Sequence, residues 1–338
     1  MQKSSRFTGR FLSILAAFVL MTSFCRTGMA VEKPPEPFKL KILILPFMSF
    51  APFFVGLEEG YFAEEGLELE FLEMRGSEKA VPLLIQGKID IWNGSLSTAF
   101  LNAAGRSEKI KFVADRGYLP ADGCAFSGFV ARKDLVEEGK LKHPGQLKGL
   151  RVVVQKPSSV EGYRTDKLLE RGNLTMDDIE MVNLSYSSQL EAFGKGTIDL
   201  SSVSEPWVVR LADTGKAVLW LSVGELLPDF QISYVAYGPN LLEKHPEIGR
   251  RFMKAYIKSL RQYSRGKTER NLEIIAQYTK LDRDILLRAC WPSINASGHI
   301  NVQTVLDFQD WAVKKGFLDQ AAKVEQFWDP SFVDKAGE

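Results

Sequence analysis

The stretch Gly87-Lys88-Ile89-Asp90 recurs as Gly196-Thr197-Ile198-Asp199, at an offset of 196 − 87 = 109 residues. An apolar strand that begins at Lys41 recurs at Arg151, at the similar offset of 151 − 41 = 110 residues. In each half this strand precedes a predicted helix, which ends near a glycine before a second short apolar run. Glycine after a helix adopts the left-handed conformation that turns the chain back onto a sheet, so this order is typical of β-α-β units. The sequence therefore predicts the α/β class, with two similar lobes that are each an α/β sandwich.

The length and composition of the chain narrow the classes of function. A chain of 338 residues is long enough for two domains with full cores. Its 45% hydrophobic and 25% charged residues are ordinary for a soluble globular protein. Because 43 basic residues face 42 acidic ones, there is no electrostatic case for binding nucleic acid.

The N-terminus has the composition of an export signal. Basic residues precede the apolar run 11–20, and Gly28-Met29-Ala30 offers small residues at positions −3 and −1 of a signal peptidase site. We therefore predict that residues 1–30 are a secretory signal cleaved after Ala30, and that the protein is periplasmic. An anchoring helix is the alternative, although the run is shorter than the roughly 20 residues that span a bilayer. A lipid-modified Cys25 is a third reading, to which the bulky Phe24 before it is poorly suited.

The rest of the chain divides into a tether and two lobes. Proline disfavours helix and sheet alike, so the Pro-rich residues 31–37 are predicted to be a tether. Two β-rich runs, Phe129-Val130-Ala131 and Ile232–Tyr237, are predicted to cross between the lobes as hinge strands. The predicted bounds are 38–125 plus 232–338 for the discontinuous first lobe and 126–231 for the second lobe.

The region beyond His245 has helical periodicity, and Pro246 suits the first turn of a helix. The predicted helices of this region cover 246–263, 269–278, 282–289 and 302–315. The run 115–123, which is rich in Gly, Pro and Asp, is predicted to be a loop. Whether Cys124 and Cys290 pair is left open by the sequence.

Several stretches follow one another in an order that is specific as a set. They are Glu58-Glu59-Gly60-Tyr61-Phe62-Ala63-Glu64-Glu65-Gly66-Leu67, Gly87-Lys88-Ile89-Asp90-Ile91, Leu147-Lys148-Gly149-Leu150-Arg151-Val152-Val153-Val154, Ile198-Asp199 leading to Glu205-Pro206, and His245-Pro246. In these the chain resembles the solute-binding proteins of ABC importers in the nitrate, taurine, alkanesulfonate and pyrimidine-precursor group. The resemblance implies the two-lobed type II periplasmic-binding-protein fold, capture of a small molecule by hinge closure, and delivery to an ABC permease in the inner membrane. It implies no catalysis, and we expect a monomer without cofactors.

Candidate binding residues lie in the loops after strands, because ligands of parallel sheets bind at the carboxyl ends of the strands. The first such loop contains Phe47, Ser49 and Phe50, which could form an aromatic wall. The third contains Trp92, Gly94, Ser95 and Ser97. The helix predicted to begin there would present free N–H groups to an anion or a carbonyl oxygen, although its serines could simply cap the helix. Trp92 is suited equally to the core and to stacking on a ligand.

The second lobe has candidates at the equivalent places, together with one cation in the first lobe. Ser158 and Ser159 precede a predicted helix, and Ser158 with Glu161 matches the spacing of a capping box. Tyr186 and Ser188 follow the next strand. Glu205 could accept a hydrogen bond from an amine or ring nitrogen, or could instead contact the hinge or the permease. Arg116 is the cation best placed to bind an anion, since it follows the strand that ends at Ala114.

The predicted ligand is a small organic molecule with a planar or apolar body and one oxyanion or carbonyl group, such as a sulfonate, a carboxylate or a pyrimidine-like compound, rather than an inorganic ion. The three histidines lie outside the strand-end loops and do not match metal-ligand spacing, so we expect neither a metal site nor histidine catalysis. Two other functions remain open: a ligand sensor for a membrane signalling protein, and an enzyme like the pyrimidine-precursor synthases that share the fold.

Overall fold

Ten strands in two sheets form the framework of the computed structural model, which describes residues 37–72, 77–106 and 109–336. The predicted signal segment 1–30 and nearly all of the predicted tether lie outside the described residues. The strands are β1 (Phe38–Leu43), β2 (Leu67–Leu72), β3 (Ile91–Ser95), β4 (Lys111–Leu119), β5 (Ser127–Arg132), β6 (Arg151–Val153), β7 (Glu180–Val182), β8 (Leu200–Ser204), β9 (Ala217–Ser222) and β10 (Phe230–Tyr237).

Fifteen α-helices lie between and after these strands in the described part of the chain. They are α1 (Ala51–Glu58), α2 (Tyr61–Glu64), α3 (Val81–Ile85), α4 (Thr98–Gly105), α5 (Lys133–Glu137), α6 (Val160–Arg171), α7 (Tyr186–Gly194), α8 (Trp207–Asp213), α9 (Val223–Leu226), α10 (Pro246–Tyr263), α11 (Glu269–Thr279), α12 (Arg283–Arg288), α13 (Val302–Lys314), α14 (Val324–Phe327) and α15 (Ser331–Asp334). The long C-terminal helices α10 to α13 agree with the predicted ones to within one residue at each end. None of the described helices is both long enough and apolar enough to cross a membrane.

The two sheets have matching topologies. The first has the order β2-β1-β3-β10-β4, and the second has the order β7-β6-β8-β5-β9. In each sheet one strand runs antiparallel to both of its neighbours, β10 in the first and β5 in the second. These are the strands with which the chain enters the other sheet. The predicted fold class, two α/β lobes joined by two strands, is confirmed.

The repeated Gly-x-Ile-Asp motif has the same structural task in both lobes. Its glycines have φ of +66° and +64°, a region that favours glycine. The carboxylate of Asp90 accepts a hydrogen bond from the backbone N–H of Lys41 at 2.7 Å. In the second lobe Asp199 accepts from the backbone N–H of Arg151 at 2.9 Å. Each aspartate thus fixes the first strand of its lobe next to the third.

The C-terminal helices pack against the first sheet. Helix α10 contacts α1 and α2, and α11 contacts α1. Their aromatic side chains interdigitate: the ring of Phe53 in α1 stacks on Tyr256 in α10, with 4.9 Å between ring centroids. Phe53 is fully buried, as is Phe252 in α10. This packing buries the aromatic side chains of α1 under α10.

Strand β4 is longer than predicted. The run 115–123 was expected to be a loop, but β4 continues to Leu119 because it pairs with β10. Asp115 pairs with Tyr234, and Gly117 pairs with Ser233. The register of the two strands shifts between these pairs, as at a β-bulge. The prediction of a loop was therefore wrong for 115–119, and Arg116 is held on a strand.

A disulfide bond joins Cys124 to Cys290, with 5.3 Å between their Cα atoms. Cys124 lies between β4 and β5, and Cys290 follows α12. The bond therefore ties the first connection between the lobes to the C-terminal helical region, a pairing that the sequence left open.

Candidate ligand-binding cleft

A cavity of about 280 Å³ lies between the two sheets. This volume is near the lower end of the roughly 300–1,000 Å³ typical of small-molecule sites. Eight of the predicted site residues, drawn from both lobes, line it together: Phe47, Ser49, Phe50, Gly94, Ser95, Arg116, Tyr186 and Glu205. The rule that ligands bind at strand ends thus brought residues together that are up to 158 positions apart (205 − 47 = 158).

Trp92 is not among the residues that line the cavity. Its ring is fully buried and stacks on Phe100, with 5.2 Å between centroids. The ring also covers Gly94, where an added Cβ would lie 1.8 Å from it. The placement of Trp92 in the cleft was therefore wrong, and the ring belongs to the core of the first lobe. Gly94 lines the cavity and leaves the space that this ring fills.

The serines at helix starts act mainly as caps. Ser97 caps α4 by accepting from the N–H of Phe100 at 3.3 Å. Ser159 caps α6 by accepting from the N–H of Glu161 at 3.2 Å, while the Glu161 carboxylate accepts from the N–H of Gln155, so the capping box predicted from Ser158 and Glu161 was wrong. The cavity is not lined by Ser97, Ser158 or Ser159. Ser188 does not line it either, because it is exposed on α7, where its hydroxyl contacts that of Ser185 at 2.8 Å.

Arg116 projects from β4 into the cleft wall and is only 4% exposed. One of its terminal nitrogens donates to the hydroxyl of Ser49 at 3.0 Å and to the carbonyl of Ser49 at 3.2 Å. The guanidinium carbon lies 4.3 Å from the centroid of the Phe50 ring, which is a cation–π distance. Burial lowers the pKa of Arg116 to about 10. Three residues predicted for the site therefore form one fixed cationic surface.

Arg164 is a cleft residue that the sequence analysis missed. It lies in the second turn of α6 and lines the same cavity. One terminal nitrogen donates to the hydroxyl of Ser127 at 2.5 Å, and that hydroxyl donates in turn to the carbonyl of Val203 at 3.0 Å. Burial lowers the pKa of the Arg164 guanidinium. The only sequence signal was its position shortly after a strand-end loop, because a helix that begins at the cleft can also present its second turn there.

Neither cleft arginine has a carboxylate partner in the part of the chain that the structure describes. Across the described ranges neither forms an ion pair, and the Nε of each is buried without a hydrogen-bond acceptor. The charge of Asp115 acts on Arg116 and that of Glu161 acts on Arg164, and burial raises the pKa of each carboxyl to about 7. Burying a charge without a partner costs free energy, so an anion in the cavity would be stabilised by the arginine of each lobe.

Aromatic side chains from both lobes wall the cavity. Phe47 and Phe50 come from the first lobe, Tyr186 and Trp207 from the second, and Phe126 from the segment that joins them. The Tyr186 and Trp207 rings stack with 5.9 Å between centroids. Phe47 is 53% exposed, which puts it at the solvent edge of the cleft. These faces suit a planar or apolar ligand body.

Glu205 lines the cavity, but both of its carboxylate oxygens are already used. One accepts from the N–H of Val209 at 3.1 Å, and the other accepts from the N–H of Cys290 at 3.2 Å. Burial raises the pKa of Glu205. These bonds tie the start of α8 to the disulfide region, which favours a structural role at the edge of the cleft over direct contact with an amine.

The two lobes touch each other beside the cavity. Ser97 and Ser159 form an antiparallel β-bridge between the starts of α4 and α6. Along α6, the buried carboxylate of Asp166 accepts from the indole N–H of Trp311 at 2.8 Å and pairs with the ammonium of Lys315, also at 2.8 Å. The described residues after the tether form one compact unit. The cavity thus lies between lobes that are in contact.

No group of three or more His, Cys, Asp or Glu residues within the described part of the chain could hold a metal ion.

The known proteins that are similar to this chain include binding proteins and one enzyme. A Bacillus subtilis protein named for aliphatic sulfonates binding is 21% identical over 332 residues, which cover 96% of each chain. The periplasmic aliphatic sulphonate binding protein SsuA from Escherichia coli has a TM-score of 0.69 at 15% identity, over 88% of this chain and 93% of that one. The periplasmic nitrate-binding protein NrtA from Synechocystis has a TM-score of 0.70 at 14% identity, over 90% and 89%. The desulfurization enzyme DSZB shares the fold at a TM-score of 0.62 and 15% identity, over 88% and 98%, so the fold by itself allows catalysis.

The profile of the family described as NMT1/THI5 like matches residues 48–264. This range is more than half of the chain, and it contains both Gly-x-Ile-Asp motifs and both cleft arginines. The protein belongs to the NMT1/THI5-like family, as the resemblance in the sequence predicted.

Proposed function

We propose that this chain is the exported solute-binding receptor of an ABC importer. It captures a small organic anion, a sulfonate or carboxylate with a planar or apolar body, in the cleft between its lobes. It then docks as a monomer on the permease of the importer. The observation that carries the proposal is a pair of guanidinium groups, Arg116 buried and Arg164 half-buried, that form no ion pair among the described residues and face one cavity walled by aromatic rings.

The shape of the cleft supports capture of a ligand by closure. Only β5 and β10 carry the described chain from one sheet to the other, and the disulfide lies beside the first of these connections. Two-lobed proteins with such connections close around ligands by hinge bending. The ligand would complete the contacts between the lobes, because each lobe contributes one arginine and at least one aromatic ring to the cavity.

Export is supported by the disulfide as well as by the composition of the N-terminus. Structural disulfides persist in oxidising compartments such as the periplasm. The relatives SsuA and NrtA are both named as periplasmic. N-terminal sequencing of the protein from its native host should find Val31 as the first residue. An intact Met1 on a cytoplasmic protein would contradict export.

Binding is favoured over catalysis by the side chains that the cleft holds. Cys124 and Cys290 are joined to each other, so neither is a free thiolate nucleophile. No described histidine lines the cavity. The serines that line the cavity have no histidine beside them there to act as a general base, and both oxygens of Glu205 accept backbone amides.

The proposal is tested by calorimetry on the mature protein with aromatic and aliphatic sulfonates, aromatic carboxylates, taurine, pyrimidines and nitrate. We expect an organic anion to bind most tightly. Arg116→Gln should weaken it at least about tenfold, since hydrogen bonds to charged groups contribute roughly 1.5–3 kcal/mol. Arg106→Gln is the matched control, because Arg106 is an exposed arginine of the first lobe outside this cavity. Binding of nitrate alone, or of neutral compounds alone, would contradict the proposed class of ligand.

A further inference from the structure

The two lobes present arginines that are anchored independently. Arg116 is fixed in the first lobe by Ser49 and Phe50. Arg164 is fixed in the second lobe through Ser127, whose hydroxyl also accepts from the hydroxyl of Ser204 at 3.0 Å. Ser49, Phe50 and Ser204 all line the cavity beside their arginine. Each guanidinium is thus held on its own wall of the cavity.

The carboxyl neighbour of each arginine is occupied elsewhere. Asp115 accepts from the N–H of Gly117 at 2.5 Å, from the N–H of Asn295 at 2.6 Å and from the side-chain amide of Gln231. Glu161 accepts from the N–H of Gln155 at 3.4 Å. Neither carboxyl forms a hydrogen bond with its neighbouring arginine among the described residues. Two positive charges, one buried and one half-buried, therefore line the cavity without a hydrogen-bonded carboxylate among the described residues.

A ligand with a single negative charge would leave one of these arginines unpaired inside the closed cleft. A buried charge that lacks a partner costs free energy, because it is removed from water without compensation. A ligand with an acidic group at each end would neutralise both arginines at once and would hold the lobes together through two charge-assisted sets of hydrogen bonds.

Building on the proposed function, we propose that the ligand is a compact organic molecule with two separated acidic groups, one bound by Arg116 of the first lobe and the other by Arg164 of the second. A sulfonated carboxylic acid or a dicarboxylic acid has this chemistry. The cavity of about 280 Å³ limits the body between the two groups to a short chain or one ring. The aromatic rings of Phe50, Tyr186 and Trp207 would contact that body.

The experiment compares ligands that differ by one acidic group. Calorimetry on the mature protein uses propane-1-sulfonate against 3-sulfopropanoate, and benzenesulfonate against 4-sulfobenzoate. In the wild type the second acidic group should tighten binding by at least about tenfold in one of the pairs, as expected for a close charge pair at a buried interface. In Arg116→Gln and in Arg164→Gln this gain should largely disappear, because one remaining arginine can pair with only one acid.

Matched variants separate this effect from general attraction of anions. Arg106→Gln in the first lobe and Arg171→Gln, on the same helix as Arg164, each remove an exposed positive charge outside the cavity. Both should retain the full gain from the second acidic group. Loss of the gain in these controls, or its persistence in both cleft variants, would overturn the proposal.

The outcomes also distinguish the two proposals. If the singly charged sulfonates bind, depend on Arg116, and gain nothing from the second acid in either pair, the proposed function stands and the two-headed ligand is wrong. If none of the four acids binds, while a neutral compound of the panel does, both proposals fail.

Discussion

The two lobes use one motif with different partners. In the first lobe, Asp90 accepts from the backbone of Lys41 at 2.7 Å and from the side-chain amide of Asn240 at 2.8 Å. In the second lobe, Asp199 accepts from the backbone and the side chain of Arg151 and from Arg132 at 3.0 Å. The backbone bonds match in both lobes, whereas the outer partners are a neutral amide in one and two cations in the other. The shared part of the motif is therefore the attachment of the first strand.

The repeated motif and the lining of the cavity use different residues. The motif aspartates do not line the cavity in either lobe. The arginines that do line it occupy unrelated positions, Arg116 on a strand that continues into the interlobe connection and Arg164 on a helix. The repeat thus reports the architecture, and the binding chemistry was placed on each lobe independently, as expected when sites vary on a constant fold.

The comparison of the two aspartates predicts unequal effects on stability. Asp199→Asn removes the carboxylate that pairs with Arg151 and with Arg132, although Arg132 keeps its second partner Asp134, so we expect a loss of about 2–4 kcal/mol in the free energy of unfolding. Asp90→Asn retains one acceptor oxygen and loses no ion pair, so its loss should be about 1 kcal/mol. Urea unfolding at pH 7 measures both. Asp177→Asn, an exposed carboxylate of the second lobe, is the control. Equal losses for the two motif variants would mean that the arginines add nothing.

The pH dependence refines this test. Burial alone would raise the pKa of Asp199, but the hydrogen bonds from Arg151 and the charges of both arginines outweigh burial and hold the pKa below its ordinary value. A lowered pKa in the folded state stabilises the protein above the unfolded pKa of about 3.9, and the contribution is lost as the pH falls through the folded value. The difference between wild type and Asp199→Asn should therefore be constant from pH 6 to 8 and shrink only in acid below about pH 4.

The sequence predicted the strands and helices of the fold better than the residues that line the cleft. Strand runs, glycines and the recurring motif fixed the sheet strands and the C-terminal helices, because these depend on local patterns. Trp92 could not be assigned, since an apolar ring at a strand end suits the core and a ligand equally. Arg164 was missed because its exposure to the cleft depends on the direction of α6, which is set by tertiary packing. The loop predicted for 115–119 became strand because β10 pairs with it, a contact across 119 positions from Asp115 to Tyr234 (234 − 115 = 119).

Contact between the lobes predicts a moderate effect on affinity. The carboxylate of Asp166 on α6 binds Trp311 and Lys315, and hinge opening would separate these groups. Asp166→Asn should favour the open form and weaken ligand binding by about tenfold, because a buried charged hydrogen bond contributes roughly 1.5–3 kcal/mol. Small-angle X-ray scattering of the unliganded variant should give a larger radius of gyration than the wild type.

Glu170→Gln is the control for this test, since Glu170 lies one turn further along α6 and pairs with Lys167 of the same helix at the surface. If Asp166→Asn lowers stability without any change in affinity or radius, the contact belongs to a fixed pivot between the lobes, and the expectation that it opens is wrong.

The smallest predicted effect is the change of ligand affinity with pH, which again compares the two lobes. Each cleft arginine has a buried carboxyl neighbour, Asp115 in the first lobe and Glu161 in the second, and burial raises the pKa of each to about 7. An anion bound nearby disfavours the ionised carboxylate and raises both pKa values further, so binding takes up protons. Affinity should therefore fall as the pH rises from 6 to 8.

Glu161→Gln isolates the contribution of the second lobe. The Glu161 carboxylate accepts from the N–H of Gln155, whereas Asp115 accepts three hydrogen bonds near the interlobe connection, so Glu161 is the cleaner site to change. At pH 8 the variant lacks a negative charge beside Arg164 and should bind an anionic ligand about threefold more tightly than the wild type, while at pH 6 the two should differ little. Calorimetry in buffers with different ionisation enthalpies should show less proton uptake in the variant. An unchanged slope of affinity against pH would mean that Glu161 does not sense the ligand, and that the second lobe contributes its arginine without a titrating neighbour.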